Sequence, residues 1–143
     1  MDNKSELIID ENGTKRWYLN DDLHRENDPA VEFSSGDKEW WQNGARHRED
    51  GPAIEASNGN KYWYLHNKLH REDGPAIERS SGSKFWHLNG ELHRTDGPAI
   101  EYANGNKYWY LNNNEYSFEE WLKLTPLSEQ EKVKLRLQYA KRN

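Results

Sequence analysis

The stretch LHREDGPAIE, at residues 69–78, decides the fold because it is repeated along the chain. Near-copies occupy residues 45–55 (ARHREDGPAIE) and 91–100 (ELHRTDGPAI), and a second phrase, GNKYWYL, occurs at residues 59–65 and 105–111. A strict period of 23 residues is typical of stacked units that each contact only their neighbours. The period carries one Gly and one Trp per unit: Gly13, Gly36, Gly59, Gly82 and Gly105, with Trp17, Trp40, Trp63, Trp86 and Trp109.

Each unit is divided by turn residues. Asn-Gly pairs at 43–44 and 89–90 are typical of two-residue hairpin turns, a further Asn-Gly turn recurs at 58–59 and 104–105, and Asp-Gly-Pro closes the unit. The short segments between turns are rich in Trp, Tyr, Leu and Ile and read as strands. The sequence therefore predicts a mainly β fold: an elongated antiparallel β-meander or solenoid of stacked hairpins.

Pairing across these turns predicts which residues share a face of the sheet. A two-residue turn at Asn89-Gly90 places Leu88 opposite Glu91, and the same reasoning at Asn104-Gly105 places Ile100 opposite Trp109. This register predicts that the Trp row shares the inner face with one aliphatic residue per unit: Val31, Ile54, Ile77 and Ile100.

The opposite face then carries a second row of rings. Such a row needs a cover, either the end of the chain, a second copy or a ligand. The second unit differs most from the others there, which draws attention to Trp41 and Arg46. The candidate binding residues are Tyr18, Trp41, Arg46, Tyr62, Tyr64, Phe85, His87, Tyr108 and Tyr110.

The His-Arg-x-Asp phrase could suggest acid-base or metal chemistry, but it recurs in successive units, whereas an active site is built once. We interpret it as structural: Arg71 holds Asp73 or a neighbouring carboxylate, and His70 packs on Trp63. The chain has no cysteine, and no serine lies in a nucleophile motif. We expect no enzyme activity, no cofactor and no metal.

The repeat stops after Tyr116. Ser117 with Glu120, and Ser128 with Glu131, are two capping boxes that predict helices in the tail. A stack of strands needs its last unit covered. We therefore divide the chain into a repeat region, 1–116, and a C-terminal helical cap, 117–143, while a docking helix for a partner stays open as an alternative.

The amino-acid composition limits the classes of partner that the protein can bind. The net charge is −5, which argues against nucleic acid as the partner because binding phosphates needs a basic surface. No apolar run is long enough for a membrane span and no signal peptide is recognisable, so we expect a cytoplasmic protein. Only 33% of residues are hydrophobic while 13% are aromatic, which favours a thin structure that buries a few large rings.

The 23-residue period, the aromatic strand and the Asn-Gly turn resemble MORN repeats over about residues 13–116. In place of the usual Gly-x-Gly element the units carry His-Arg-x-Asp-Gly-Pro-Ala, a variant similar to repeats in proteins of bacteriophages and large DNA viruses. The resemblance implies a scaffold of stacked hairpins. It also implies a viral setting, with host cytoplasm as the location.

Two functions are compatible with these patterns. One is an interaction protein, self-associating or not, whose aromatic face binds a host defence or processing protein and inhibits it. The other is a sponge that sequesters a nucleotide-like signalling molecule between rings and Arg side chains. Nucleic-acid mimicry by the acidic surface is weaker, because Lys and Arg are interleaved with the acidic residues.

Overall fold

A computed structural model describes residues 4–139. The chain forms eighteen short strands and then two helices, α1 (Phe118–Leu124) and α2 (Glu129–Tyr139). The strands are β1 (Glu6–Ile9), β2 (Lys15–Leu19), β3 (Asp22–Leu23), β4 (Val31–Glu32), β5 (Lys38–Glu39), β6 (Trp41–Gln42), β7 (Ala45–Arg46), β8 (Ile54–Glu55), β9 (Lys61–Tyr62), β10 (Tyr64–Leu65), β11 (Lys68–Leu69), β12 (Ile77–Glu78), β13 (Lys84–Phe85), β14 (His87–Leu88), β15 (Glu91–Leu92), β16 (Ile100–Glu101), β17 (Lys107–Leu111) and β18 (Asn114–Tyr116).

The strands build one long, open, antiparallel sheet. Its order is β1-β2-β4-β5-β8-β9-β12-β13-β16-β17-β18, with β3 paired to β2. The remaining strands form three hairpins, β6-β7, β10-β11 and β14-β15. The predicted mainly β architecture with a C-terminal helical cap is confirmed.

The hairpins join into a second row of strands beside the main sheet. The backbone N–H of the arginine that follows each hairpin donates a hydrogen bond to a backbone carbonyl in the hairpin of the next unit, so each unit is bonded to its neighbour. These bonds run from Arg25 N to Trp41 O (3.3 Å), Arg48 N to Tyr64 O (3.1 Å), Arg71 N to His87 O (3.2 Å) and Arg94 N to Tyr110 O (3.2 Å).

The hairpin turns need residues that accept a left-handed backbone. Asn89 and Gly90 have φ of 50° and 85°, and the turn pairs Leu88 with Glu91 as expected. His66 and Asn67 take the same conformation at 48° and 66°. Two successive positive φ values are typical of the type I′ turn, whose twist matches that of the flanking strands.

The predicted register at the other turn is wrong by one residue. Ile100 lies opposite Tyr108, not Trp109, and Glu101 lies opposite Lys107. The loop contains three residues, because Tyr102 N donates to Asn106 O at 2.9 Å across it. A three-residue loop with a left-handed glycine, here φ 95° at Gly105, shifts the pairing by one place relative to a two-residue turn.

This shift moves the aliphatic row to the other face. Ile77 lies opposite both Tyr62 and Phe85, so it shares their face rather than that of the Trp row. The assignment of Val31, Ile54, Ile77 and Ile100 to the Trp face is therefore wrong. We call the side with the five repeat tryptophans the tryptophan face, and the side with the aliphatic row and the candidate binding residues the aromatic face.

Arginine covers the tryptophan face. In the first four units a guanidinium lies over the indole ring, with its carbon 3.8 to 3.9 Å from the ring centroid. Trp40 is thereby 9% exposed, and Trp17, Trp63 and Trp86 are half-buried. The pairs are Arg25 on Trp17, Arg48 on Trp40, Arg71 on Trp63 and Arg94 on Trp86.

Each of these guanidiniums also binds oxygen atoms. Arg71 donates to Asp73 at 3.1 Å, to Glu78 at 2.8 Å and to the Pro75 carbonyl at 3.1 Å. The expected pair of Arg71 with Asp73 is present. Arg71, rather than His70, covers the Trp63 ring.

The histidines join successive units. The His70 Nδ1 accepts a hydrogen bond of 2.9 Å from the backbone N–H of Asn89 in the next hairpin turn. The same bond forms from Asn43 to His24 (3.0 Å), from His66 to His47 (2.9 Å) and from Asn112 to His93 (3.0 Å). Each bond requires an imidazole that is unprotonated at Nδ1.

The helices cover the last unit. Trp109 has no arginine, since Ser117 occupies that place in the period. Instead the rings of Trp121, Phe118 and Tyr139 lie 4.6, 4.7 and 5.2 Å from it, and Trp121 is fully buried. Both predicted capping boxes are present, with reciprocal bonds of 3.1 and 3.2 Å in each.

Arg71→Lys tests the arginine cover. Lysine keeps the charge, but one ammonium group cannot lie flat on Trp63 and also donate to three oxygen atoms. We expect the free energy of unfolding to fall by about 1 to 2 kcal/mol in urea denaturation. Arg79→Lys is the matched control, because Arg79 is exposed and lies over Phe85 at 5.1 Å without a role in the stack. Equal losses in the two variants would contradict this account.

The His47 bond predicts a pH dependence. Burial first, and then the neighbouring His66, lower the pKa of His47 below its ordinary value, while Glu49 opposes this shift. The folded state therefore binds fewer protons than the unfolded state, so stability falls as the pH drops below about 6.5. In His47→Asn the amide oxygen still accepts a hydrogen bond but cannot titrate. Urea denaturation between pH 7.5 and about 5.5 should give a shallower decline for His47→Asn, and identical declines would refute the assignment.

Candidate functional site

The aromatic face collects the candidate binding residues into rows along the sheet. β17 runs unbroken through Tyr108 and Tyr110, two residues apart, which places both rows on one face. Directly paired residues such as Tyr64 with Leu69, and Trp41 with Arg46, extend the rows across the hairpins. The structure thus places Tyr18, Trp41, Arg46, Tyr62, Tyr64, Phe85, His87, Tyr108 and Tyr110 on the same side of the sheet.

The second unit builds a cluster that no other unit repeats. Glu39, on β5, accepts a hydrogen bond of 2.9 Å from the Trp41 indole N–H. Arg46, on β7, lies with its guanidinium carbon 4.9 Å from the Trp41 ring centroid and 5.6 Å from that of Tyr64. We call Glu39, Trp41, Arg46 and Tyr64 the unit-two cluster. It joins one cation, one anion and two rings on an open sheet face.

The electrostatics of this cluster are incompletely satisfied. The Arg46 Nε is buried without a hydrogen-bond partner, and the nearest carboxylate oxygen, on Glu39, lies 3.6 Å away. The Glu39 side chain is only 16% exposed. A buried donor left unpaired costs about 1 to 3 kcal/mol. The Nε itself is out of reach of a partner, so only the exposed part of the Arg46 side chain, 34% of it, is open to a docking partner.

Glu39 was missed in the sequence analysis. The same place in the period holds Arg16, Tyr62, Phe85 and Tyr108, so an acid there is unique to the second unit. This signal was available: a residue that breaks its column in a strict repeat is not required by the stack. In the sequence analysis this position of the repeat contributes only its aromatic residues to the candidate binding residues.

A second group of rings lies toward the C-terminal end of the aromatic face. Phe85, Tyr102 and Tyr108 meet edge to face, with successive centroids 5.7 Å apart. Tyr102 is 40% exposed and Tyr108 is 36% exposed. Tyr102 was also missed, since its column holds Phe33, Ala56 and Arg79 in the other units and shows no constant ring.

Two titratable groups on this face stay neutral near pH 7. Burial lowers the pKa of His87, which keeps its imidazole uncharged, and its Nδ1 is buried without a hydrogen-bond partner. Burial and the nearby Glu115 raise the pKa of Tyr110, whose hydroxyl donates to the Glu115 carboxylate at 3.4 Å. The rows therefore present uncharged rings with arginine guanidiniums among them: Arg46 beside Trp41, Arg16 over Phe33 and Arg79 over Phe85.

The tryptophan face carries grooves that repeat with the period. One groove of about 480 Å³ lies between Arg71 and Arg94, and another of about 620 Å³ lies between Arg48 and Arg71. Their guanidiniums and carboxylates already pair with one another. Repetition and internal pairing together support a structural role for these grooves.

Metal binding and membrane insertion were also considered for the part of the chain that the structure describes. Across residues 4–139, no group of three or more His, Asp or Glu side chains has a geometry that could hold a metal ion. Neither described helix has the length and apolar character needed to cross a bilayer.

Comparison with known proteins adds no relative. No protein-family model matches the chain, and no curated protein matches it. The similarity to MORN repeats therefore stays an expectation from the sequence pattern, and functional inference depends on the geometry of the site itself.

Proposed function

We propose that this protein is a non-catalytic binding protein that engages another protein through its aromatic face. The observation that carries the proposal is the unit-two cluster, where Trp41, Tyr64 and Arg46 meet on an open sheet face. Trp, Tyr and Arg are the residues that dominate the binding energy of protein interfaces. Their position outside the repeated stack supports a role that the fold itself does not require.

The shape of the face favours a protein over a small molecule. Sites for small ligands are enclosed and bury most of the ligand surface. Here the rings lie in rows along a sheet, and the mid-chain grooves of about 480 and 620 Å³ lie on the other face, lined by paired polar groups. A cavity of about 680 Å³ lies at the β1–β2 end of the aromatic face, but none of the unit-two cluster lines it. A broad partner surface can cover the rows, whereas a nucleotide-like molecule would leave most of them exposed.

The resemblance to repeats of viral proteins suggests the kind of partner. We propose a host defence or processing protein that is inhibited when the aromatic face covers its surface. The Arg46 side chain, 34% exposed, favours a carbonyl or carboxylate of the partner at the unit-two cluster. The exposed rings of Tyr102 and Tyr108 would extend the same contact toward the C-terminal end.

Affinity capture from a bacterial lysate tests this function. Proteins retained by the wild-type chain and lost with both Trp41→Ala and Arg46→Ala are the expected partners. Removing a central Trp or Arg typically weakens binding by about 2 kcal/mol or more, some thirtyfold. Arg136→Ala serves as the control, because it also removes an Arg, but from an exposed ion pair with Glu119 on the helices at 3.4 Å, outside the aromatic face.

Two results would overturn the proposal. One is a captured set unaffected by both cluster variants. The other is native mass spectrometry in which a small molecule remains bound in stoichiometric amount to the purified wild-type protein and is lost with Trp41→Ala. That outcome would favour the nucleotide sponge.

Thermal and urea denaturation separate binding from folding. Trp63→Ala removes a half-buried ring together with its Arg71 contact, and we expect a loss of about 2 to 4 kcal/mol. Trp41→Ala removes a ring from the aromatic face, and we expect a loss of no more than about 1 kcal/mol. Equal losses would reject the division of roles between the two faces.

A further inference from the structure

Three of the hairpins are short elements outside the long sheet. The strands of β6-β7, β10-β11 and β14-β15 have only two residues each, and none of them belongs to the 12-stranded sheet. We call these three hairpins the hairpin row. A two-stranded hairpin is only marginally stable by itself, so the row depends on the bonds that join its turns to the neighbouring units.

The turn of each hairpin in the row is joined to the preceding unit by two hydrogen bonds. At β10-β11 the N–H of His66 donates to the Nδ1 of His47 at 2.9 Å, and the N–H of Asn67 donates to the Arg46 carbonyl at 2.8 Å. One bond of each pair is thus made to an imidazole. The other two pairs run from Asn43 N to His24 Nδ1 (3.0 Å) and Gly44 N to Leu23 O (3.0 Å), and from Asn89 N to His70 Nδ1 (2.9 Å) and Gly90 N to Leu69 O (2.8 Å).

The bond to the imidazole is the one that acid removes. Nδ1 accepts a hydrogen bond only while it carries no proton, and a protonated Nδ1 would point its own N–H at the N–H of the turn. Histidine is also the side chain whose charge ordinarily changes between about pH 5 and 8. The backbone bond beside it does not titrate, so one of the two bonds in each turn depends on pH.

We propose that these histidine bonds form an acid-sensitive latch, which releases the hairpin row as the pH falls below about 6.5 while the long sheet stays paired. Each junction takes up one proton when it opens, which couples its opening to pH. The long sheet is held by backbone bonds, such as the one from Ala53 N to Tyr62 O at 2.7 Å. The fourth histidine bond, from Asn112 to His93, joins the turn of β17-β18, a hairpin that lies within the long sheet and packs on α1.

Charged side chains surround the latch histidines. Within a unit the arginine and the aspartate pair with each other, as Arg48 does with Asp50 at 3.0 Å, so their charges largely cancel at the ring. Glu49 favours the protonated form of His47, yet a proton on Nδ1 still ends the bond to the turn. The titratable and charged groups are Glu26 beside His24; Arg25, Arg48, Glu49, Asp50 and His66 beside His47; and Arg48, Glu49, Asp50, Arg71, Glu72 and Asp73 beside His70.

Two pKa shifts have the sign that the latch requires. Burial first, and then His66, lower the pKa of His47, and burial lowers the pKa of His87 on β14. An open hairpin exposes these rings to water, where an imidazole has its ordinary pKa of about 6.5. The open state therefore binds more protons than the closed state. The stability of the closed row is complete above about pH 6.5 and is lost as the pH falls toward the lower pKa of the closed state.

The latch acts on the unit-two cluster. Trp41 and Arg46 lie on β6-β7 and Tyr64 lies on β10, so release of the row separates the side chains that form the cluster. A partner bound through the cluster would then dissociate at acidic pH. This consequence rests on the proposed function, whereas the release of the hairpins does not.

Amide hydrogen exchange measured by NMR tests the latch in the full chain. The reporter is the Asn67 N–H in the β10-β11 turn, and the reference is the Ala53 N–H in the long sheet. Protection factors correct for the pH dependence of the exchange chemistry itself. Between about pH 7.5 and 5.5 the Asn67 protection factor should fall by up to about tenfold, the effect of one proton. At about pH 5.5 it should lie about tenfold or more below that of Ala53, as expected for an open row on a paired sheet.

Two variants assign the effect to the histidine bond. His47→Asn places an amide oxygen at the position of Nδ1, where it accepts the bond from the turn without titrating, so the fall at Asn67 should shrink to less than about twofold. The Gly90 N–H, whose junction uses His70, should keep its own fall. His66→Asn is the matched control, because it removes the other imidazole of the junction, 4.5 Å from His47, and keeps the backbone donor. Asparagine occupies this place in the other units, so His66→Asn should fold and keep the acid response: Asn20, Asn43, Asn89 and Asn112.

The latch is refuted by any of three results. The first is an Asn67 protection factor that does not change between about pH 7.5 and 5.5. The second is equal protection of Asn67 and Ala53 at the lower pH, which would mean that the hairpin opens only with the whole chain. The third is a fall that His47→Asn keeps and His66→Asn abolishes, which would assign it to repulsion between the two imidazoles. A captured partner that stays bound while exchange shows open hairpins would count against the proposed function and not against the latch.

Discussion

The fold depends on the contact between an arginine guanidinium and a tryptophan ring, made once in each of the first four units. A thin sheet has no interior deep enough to bury an indole on both sides, so the flat cation takes the place of a second layer. The same guanidinium binds a carboxylate from its own turn and another from the next strand, as Arg71 does with Asp73 and Glu78. One arginine side chain thereby holds the tryptophan ring, the turn and the next strand together. At the last unit, where no arginine follows Trp109, the helices cover the tryptophan ring instead.

The two faces of the sheet differ in how strictly they keep the repeat. The tryptophan face repeats the same contacts from unit to unit, because any departure would disturb the neighbouring unit. The aromatic face tolerates exchange, so one column holds Tyr18, Trp41, Tyr64, His87 and Tyr110. Recognition is expected on the face where exchange is tolerated, and the unit-two cluster is the largest departure from the repeat there.

Much of this could be predicted from sequence, since the signals are local. The left-handed turn residues and the capping boxes at Ser117 and Ser128 each follow from a few adjacent residues, and the period follows from the repetition of such short signals every 23 residues. The register at Asn104-Gly105 could not, because two- and three-residue loops share the same Asn-Gly signal. The choice of Arg71 rather than His70 as the cover of Trp63, and the pairing of Glu39 with Trp41, depend on side-chain reach across strands, which spacing alone does not fix.

The arrangement of strands also governs the response to force. The strands lie across the long direction of the sheet, and the first and last of them stand at its two ends. Tension applied between the termini would therefore load the inter-strand hydrogen bonds of one strand at a time, as in opening a zipper, instead of shearing many together. Because each unit is bonded only to its neighbours, the protein would extend in steps of one 23-residue unit. The helices that pack on Trp109 would determine whether extension begins at the N-terminal end.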